Sequence, residues 1–305
     1  MDQQTDRQEP PPEFWEQMRT EQEAHLRALR DAEQRISQHP FNLMARDVAA
    51  LIDCLRDVFN GNHMELLALI DAPSRDWRLS LELTQNVRRS RIADRFNSEL
   101  SRRIHNFVTS AYTVAECAKA AWAHRLERHA GVSDEADAEF TRLKMSGPVE
   151  VDVVSDLRRY SQHAGRLTLV QGHRTNVTMD QGKTTSMTHT VILSSSSMLD
   201  GDFHWKRETR TYLETHEAVV LRDVVREQAN HWYLVNDWVI RTLLDEAELF
   251  RADANDLIAA RNAILTGMDI ETARAETEKI TEQWWADEGP SPFDVPANVP
   301  EQPDE

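Results

Sequence analysis

At 305 residues the chain is about twice the common domain size of about 100 to 150 residues, so one large or two modest cores can form without disulfide support. Asp and Glu number 52 against 35 Lys and Arg, a formal charge of −17 that opposes nonspecific attraction to nucleic acid or an anionic membrane while leaving room for a local basic patch. The two cysteines, Cys54 and Cys117, sit singly in helix-like runs, which excludes zinc ribbons and secreted disulfide scaffolds. Nine glycines with no GxGxxG or GxxxxGK[ST] spacing argue against a nucleotide-binding glycine loop. With no apolar run near the ~18 to 20 residues of a membrane span, and a polar start MDQQTDRQEPPP, the reading is a soluble, cytoplasmic chain with no membrane association.

Residues 1–12 hold three prolines and few apolar groups, and 287–305 carry six acids with no Lys or Arg; both tails are expected to be disordered. Between them helical periodicity dominates. Helices are predicted over about 13–37 and 43–59, the second carrying the stripe Leu43, Val48, Leu51, Ile52, Leu55, Val58, Phe59 and stopping at Asn60-Gly61. A short apolar run from Met64 ends at Ala72-Pro73, and the stretch around Trp77 is ambiguous. Residues 93–128 read as one long helix with Ile104, Phe107, Val108, Ala111, Val114, Ala115, Ala118 and Trp122 on its buried stripe. Ser133 caps a helix reaching about Lys144, and Pro148 opens another that ends near a turn at Gly165.

The pattern then changes. Residues 166–196 hold the β-branched runs LTLV, NVTM and THTVIL, broken at Asp180-Gln181-Gly182-Lys183, which predicts an antiparallel hairpin or small meander. Ser194 to Ser197 read as a loop leaving it. Helices resume over about 203–214, 216–250, 253–266 and 270–286. The predicted fold is mainly α, a helical bundle with an inserted antiparallel β element; the divisions are 1–12, an N-terminal helical region 13–92, a helical domain 93–286 and the tail 287–305.

Chemistry is concentrated at Asp156-Leu157-Arg158-Arg159-Tyr160-Ser161-Gln162-His163, at the end of a predicted helix. A permanent cation one turn from an imidazole suits holding a phosphodiester and moving protons on and off a 2′-hydroxyl, with no metal required. The same side chains would also suit the carbonyls of a helix C-terminus. On the long helix, His105 and Asn106 interrupt the apolar stripe, which places a hydrogen-bonding group near a helix interface.

The Leu157-Arg158-Arg159-Tyr160 to His163 segment resembles the R-x4-H signature of the HEPN superfamily, whose members are helical bundles often acting as metal-independent ribonucleases in defence and toxin systems. The resemblance spans about residues 105–163. It implies Arg158 as the motif arginine, His163 as the motif histidine, Asn106 as the polar residue of an earlier helix, no cofactor or metal, RNA as substrate and a homodimer across which the site is composite. The position after the motif arginine, commonly Asn, is Arg159 here.

From Arg75 to Arg103 there are eight arginines against four acids. Arg88, Arg89, Arg91, Arg102 and Arg103, with Arg159, are the candidates for following a nucleic-acid backbone, the alternative being a solvated face paired to neighbouring acids. The histidines show no HExxH or HxxxH spacing, so no metal site is expected. No GxSxG elbow supports a serine nucleophile, and the aromatics of His231 to Val239 and Trp284-Trp285 read as packing. Two further readings stand beside the ribonuclease: a noncatalytic helical module that binds a protein partner through its β-hairpin or acidic tail, and an acidic inhibitor or nucleic-acid mimic.

Overall fold

The computed structural model describes residues 11–84, 91–128, 134–163, 171–180, 183–200 and 202–287. The Ser133 cap, the Gly165 turn, the hairpin tip at 181–182 and both tails beyond 10 and 287 lie outside them. The chain divides into two compact units, Val48–Thr242 in one and Met1–Asp47 with Leu243–Glu305 in the other.

In chain order the elements are α1 (Pro12–Gln38), α2 (Pro40–Asp53), a π-helical stretch (Cys54–Asn60), α3 (Gly61–Arg75), α4 (Trp77–Thr84), α5 (Arg91–Arg128), α6 (Asp134–Met145), α7 (Val149–His163), β1 (Gln171–Asp180), β2 (Lys183–Ser194), α8 (Ser195–Leu199), α9 (Arg207–Thr215), β3 (Ala218–Val220), α10 (Leu221–Glu248), α11 (Arg251–Thr266) and α12 (Ile270–Asp287). The fold is therefore mainly α with a small antiparallel sheet of order β1-β2-β3, as the sequence pattern predicts.

In the Val48–Thr242 unit the stripe of α5 is fully committed to the core: Ile104, Phe107, Val108, Ala111, Val114, Ala115, Ala118 and Trp122 are all buried. Phe59, Leu66 and Ile70, then Val153, Val154 and Leu157 of α7, and Val225, Val235 and Val239 of α10 join the same core. Each side chain of this size removed from water contributes about 1.5–3 kcal/mol. In the other unit α11 packs on both α1 and α12, with Ala254, Ala259 and Ala273 buried. Small residues there let helix backbones approach. α11 ends at Gly267, whose left-handed φ of 70° is a position that glycine takes without a Cβ penalty, and Asp269 accepts the Thr272 N–H at 2.9 Å to start α12.

Three local expectations are corrected. The helix does not stop at Asn60-Gly61: both residues keep right-handed helical angles, and the backbone runs on into α3. The buried positions here advance by four, Leu55 to Phe59 to His63. An α-helix drifts off such a stripe, whereas a wider i→i+5 turn holds it against the core. A Cβ on Gly61 would meet nothing within 4 Å, so no turn demands glycine there. The second correction is Ser194 to Ser197, which open a short helix instead of a loop: the Ser194 side chain accepts from the Ser197 N–H at 3.3 Å. Third, the long helix predicted from 216 begins at Leu221 because Ala218–Val220 pair with Ser194–Ile192 as a third strand.

Candidate functional site

α7 buries Val153, Val154 and Leu157 and so carries the next residue, Arg158, to the margin of the core against α5. There the Arg158 guanidinium carbon lies 3.5 Å from the centroid of the Tyr112 ring, a separation that requires the planar group to lie flat, since an edge-on approach would drive an N–H into the ring. The Arg158 Nε is buried with no hydrogen-bond partner, and among the described residues no carboxylate pairs with this head group. Tyr112 itself remains 43% exposed. A permanent cation thus rests on a partly exposed aromatic ring with no carboxylate partner among the described residues, an arrangement that suits an anion-binding position.

Arg159 is placed differently. It donates to Asp156 Oδ1 at 2.8 Å and to the His204 carbonyl at 3.2 Å, and its guanidinium lies over Phe203. Asp156, wholly buried, also accepts the Lys206 backbone N–H at 2.8 Å. Lys206 Nζ meets Asp152 at 2.9 Å. The residue that departs from the HEPN pattern therefore ties the 202–206 segment to α7. Beside it Tyr160 and Trp205 stack on one another, and Phe203 meets both edge-on.

His163 is the last residue of α7, and its side chain lies outside the described part of the structure. Asn106 is half-buried on α5 and stands about 120° around the helix from Tyr112 by the 3.6-residue repeat. No hydrogen bond joins Asn106 to Arg158 among the described residues. The exposed His105, seven residues before Tyr112, shares the face of that ring within about 20°. Of the basic-patch candidates, Arg102 and Arg103 both pair with Glu99 on their own helix, and Arg103 also meets Glu65 of α3. Arg91 is the exposed first residue of α5; Arg88 and Arg89 lie outside the described residues.

A second polar constellation, absent from the sequence reading, joins the hairpin to α3, α4 and α5. Asn97 Oδ1 accepts the Nε2–H of His173 at 2.8 Å. That leaves His173 Nδ1 to accept from His189 Nε2–H at 3.1 Å, and His189 Nδ1 to accept from one of the hydroxyls of Ser80 and Thr175, which lie 3.1 and 3.0 Å away. Those hydroxyls bond each other at 2.7 Å. Ser74 brackets the His189 backbone, with its hydroxyl oxygen accepting the N–H at 3.0 Å. In this arrangement both imidazoles are neutral, and burial supplies that bias: His173 is pushed down to about 4 by desolvation and by His189, and burial lowers His189 as well. Ser80 is 1% exposed, which makes this a structural relay and not a nucleophile open to substrate.

Two more buried histidines were not marked by spacing. His63 sits among Phe59, Phe107 and Tyr233 and burial drives it down to about 4. The His231 ring presses on Gly147 in the turn before α7. The Cys54 thiol is pushed up to about 12 by burial and by a hydrogen bond with Cys117. Among the described residues no three His, Cys, Asp or Glu side chains are grouped to hold a metal ion, and no helix is long and apolar enough to cross a membrane. Comparison with protein-family models, curated proteins and solved structures finds no match to this chain.

Proposed function

We propose that the chain is a HEPN-like, metal-independent RNA endonuclease of the defence or toxin kind, acting as a homodimer with Arg158 and His163 as its central pair. The observation that supports this reading is the Arg158 guanidinium, laid on Tyr112 and without a carboxylate partner among the described residues. A structural arginine at a helix interface is ordinarily neutralised, as Arg159 is one residue later; Arg158 keeps its charge for something outside the fold. In the proposed reaction Arg158 holds the scissile phosphate while His163 takes the proton of the adjacent 2′-hydroxyl. The 2′-oxygen attacks phosphorus, the bond to the 5′-oxygen breaks, and that oxygen leaves with a proton taken from water. The products are a 2′,3′-cyclic phosphate and a 5′-hydroxyl.

The competing reading is a noncatalytic helical module that meets a protein partner through its β-hairpin or acidic tail. It is favoured by the ion pairs that occupy Arg102, Arg103 and Arg159. The two separate in one experiment, cleavage of structured and single-stranded RNA in EDTA by monomer and dimer fractions. The ribonuclease reading expects cleavage that falls by at least ~100-fold in His163→Ala and also falls in Arg158→Lys, where a point charge replaces a planar fork. Absence of cleavage by the wild type supports the binding module, and cleavage unchanged in His163→Ala places the chemistry elsewhere.

A further inference from the structure

We propose that Cys54 and Cys117 are an oxidation site, a thiol pair that closes to a reversible intramolecular disulfide under hydrogen peroxide. They are the chain's two cysteines, 63 residues apart in sequence, and the fold sets them against each other where the π-helical stretch packs on α5. Both are free thiols, and they share a hydrogen bond. A buried side chain touches about 6–12 residues, so two cysteines placed at random in a chain of this length would meet about once in 25 to 50 cases. Packing brings them together for a definite reason. Cys117 stands at the margin of the α5 stripe, between Glu116 and the buried Ala118, while Cys54 lies beside buried Leu55 and one turn after buried Leu51. Ala115 and Ala118 add little bulk to that stripe, so a neighbouring helix can approach closely.

Exposure orders the chemistry. Cys117 is half-buried and within reach of solvent. Cys54 is 7% exposed, and burial, with the Cys117 hydrogen bond, pushes its thiol up to about 12, so it stays protonated and does not meet the oxidant first. The Cys117 sulfur attacks one oxygen of the peroxide, the O–O bond breaks, and a sulfenic acid forms as water leaves. The Cys54 sulfur then attacks the Cys117 sulfur; the S–O bond breaks and the Cys54 proton goes to the departing hydroxide. Two thiols and one peroxide thus yield one disulfide and two waters, the sulfurs losing the two electrons that the peroxide gains. The cross-link closes a loop that runs through α3, α4 and the first part of α5. Closing so long a loop removes freedom from the unfolded chain and so stabilises the folded one. It also ties the π-helical stretch, a wider helix form that is frequent at functional positions, to α5.

The test uses the full-length protein and hydrogen peroxide in small molar excess. Peptide mapping after alkylation should find Cys54 and Cys117 in one linked peptide pair, and both thiols should alkylate again after treatment with a thiol reductant. The cross-linked chain should melt roughly 5–10 °C above the reduced one. Single variants separate the steps: Cys54→Ser should halt at a Cys117 sulfenic acid that dimedone traps, whereas Cys117→Ser should keep its Cys54 thiol through the same treatment. A wild type that ends with Cys117 as sulfinic acid and Cys54 still free overturns the proposal, and so do disulfides found only between chains. A linked chain that melts at or below the reduced midpoint overturns it as well, since the native fold would then be holding the two positions apart. Mapping on the wild type needs no variant, so a serine substitution that fails to fold leaves the test intact.

Discussion

Arg158 and Arg159 are neighbours on one helix with opposite fates, and the difference comes from what lies within reach. Arg159 meets the buried carboxylate of Asp156 and a backbone carbonyl; Arg158 lies on a ring and, among the described residues, meets no carboxylate. Removal of the Arg158 head group is accordingly expected to cost about 0.5–2 kcal/mol, the range for a half-buried cation on an aromatic face, and to abolish RNA cleavage. Asp156→Ala is expected to do the reverse in kind: it strands Arg159 and the Lys206 N–H, and hydrogen bonds to a charged group are worth about 1.5–3 kcal/mol. Urea unfolding checks both, and an Asp156→Ala midpoint equal to wild type would remove the anchoring role. Gly147 offers a third case. A Cβ added there would stand 3.0 Å from His231 Cε1, so Gly147→Ala must displace a buried ring at a cost of about 1–3 kcal/mol; an unchanged melting curve would show that the ring yields freely.

Among the elements, α5 and α7 were legible in the sequence because their apolar residues recur at helical spacing and carry through unbroken, from Ile104 to Trp122 and from Val153 to Leu157. The histidine relay was not legible, and the reason is one residue. Asp180 pairs with Lys183 and Met179 with Thr184, but a bulge between Thr178 and Met179 shifts the register so that Thr175 faces His189. Without the bulge Thr175 would face Thr188, and His189 would turn to the other side of the sheet. Nothing in the residue types at 184–186 announces the extra residue, Thr185. The relay carries a pH dependence whose sign follows from its lowered pKa values. Folded His173, at about 4, binds fewer protons than the unfolded chain between that value and the ordinary histidine value of about 6.5. Stability is thus complete above about pH 6.5 and is lost as pH falls toward the folded value. Urea midpoints should drop between pH 7 and pH 5, and His173→Gln with His189→Gln should flatten the drop. His39, His63 and His231, also lowered by burial, supply a remainder. A double variant with the wild-type slope would show that the relay does not titrate in this window.

For the molecule as a whole, the charge of −17 and the ion pairs on Arg102, Arg103 and Arg159 make a broad electrostatic grip on RNA unfavourable, so affinity should come from a few contacts. The dependence of log affinity on log salt is then expected to have a slope of about −1, against about −6 if all eight arginines between Arg75 and Arg103 met phosphates, at roughly −0.7 per contact for a single strand. The sequence showed that patch as a count of charges but could not show that Glu65 and Glu99 fold against it, because the pairing with Glu65 joins different helices. The central claim, that Arg158 and His163 cleave RNA through the substrate's own 2′-hydroxyl, is tested most directly by the chemistry of the ends produced. Digestion of a 5′-labelled RNA in EDTA by the purified protein should leave 2′,3′-cyclic phosphate and 5′-hydroxyl ends, be blocked by a single 2′-deoxy substitution at the cleavage site and be lost with His163→Ala. Products ending in 3′-hydroxyl and 5′-phosphate, or cleavage that persists through the deoxy substitution, would contradict it.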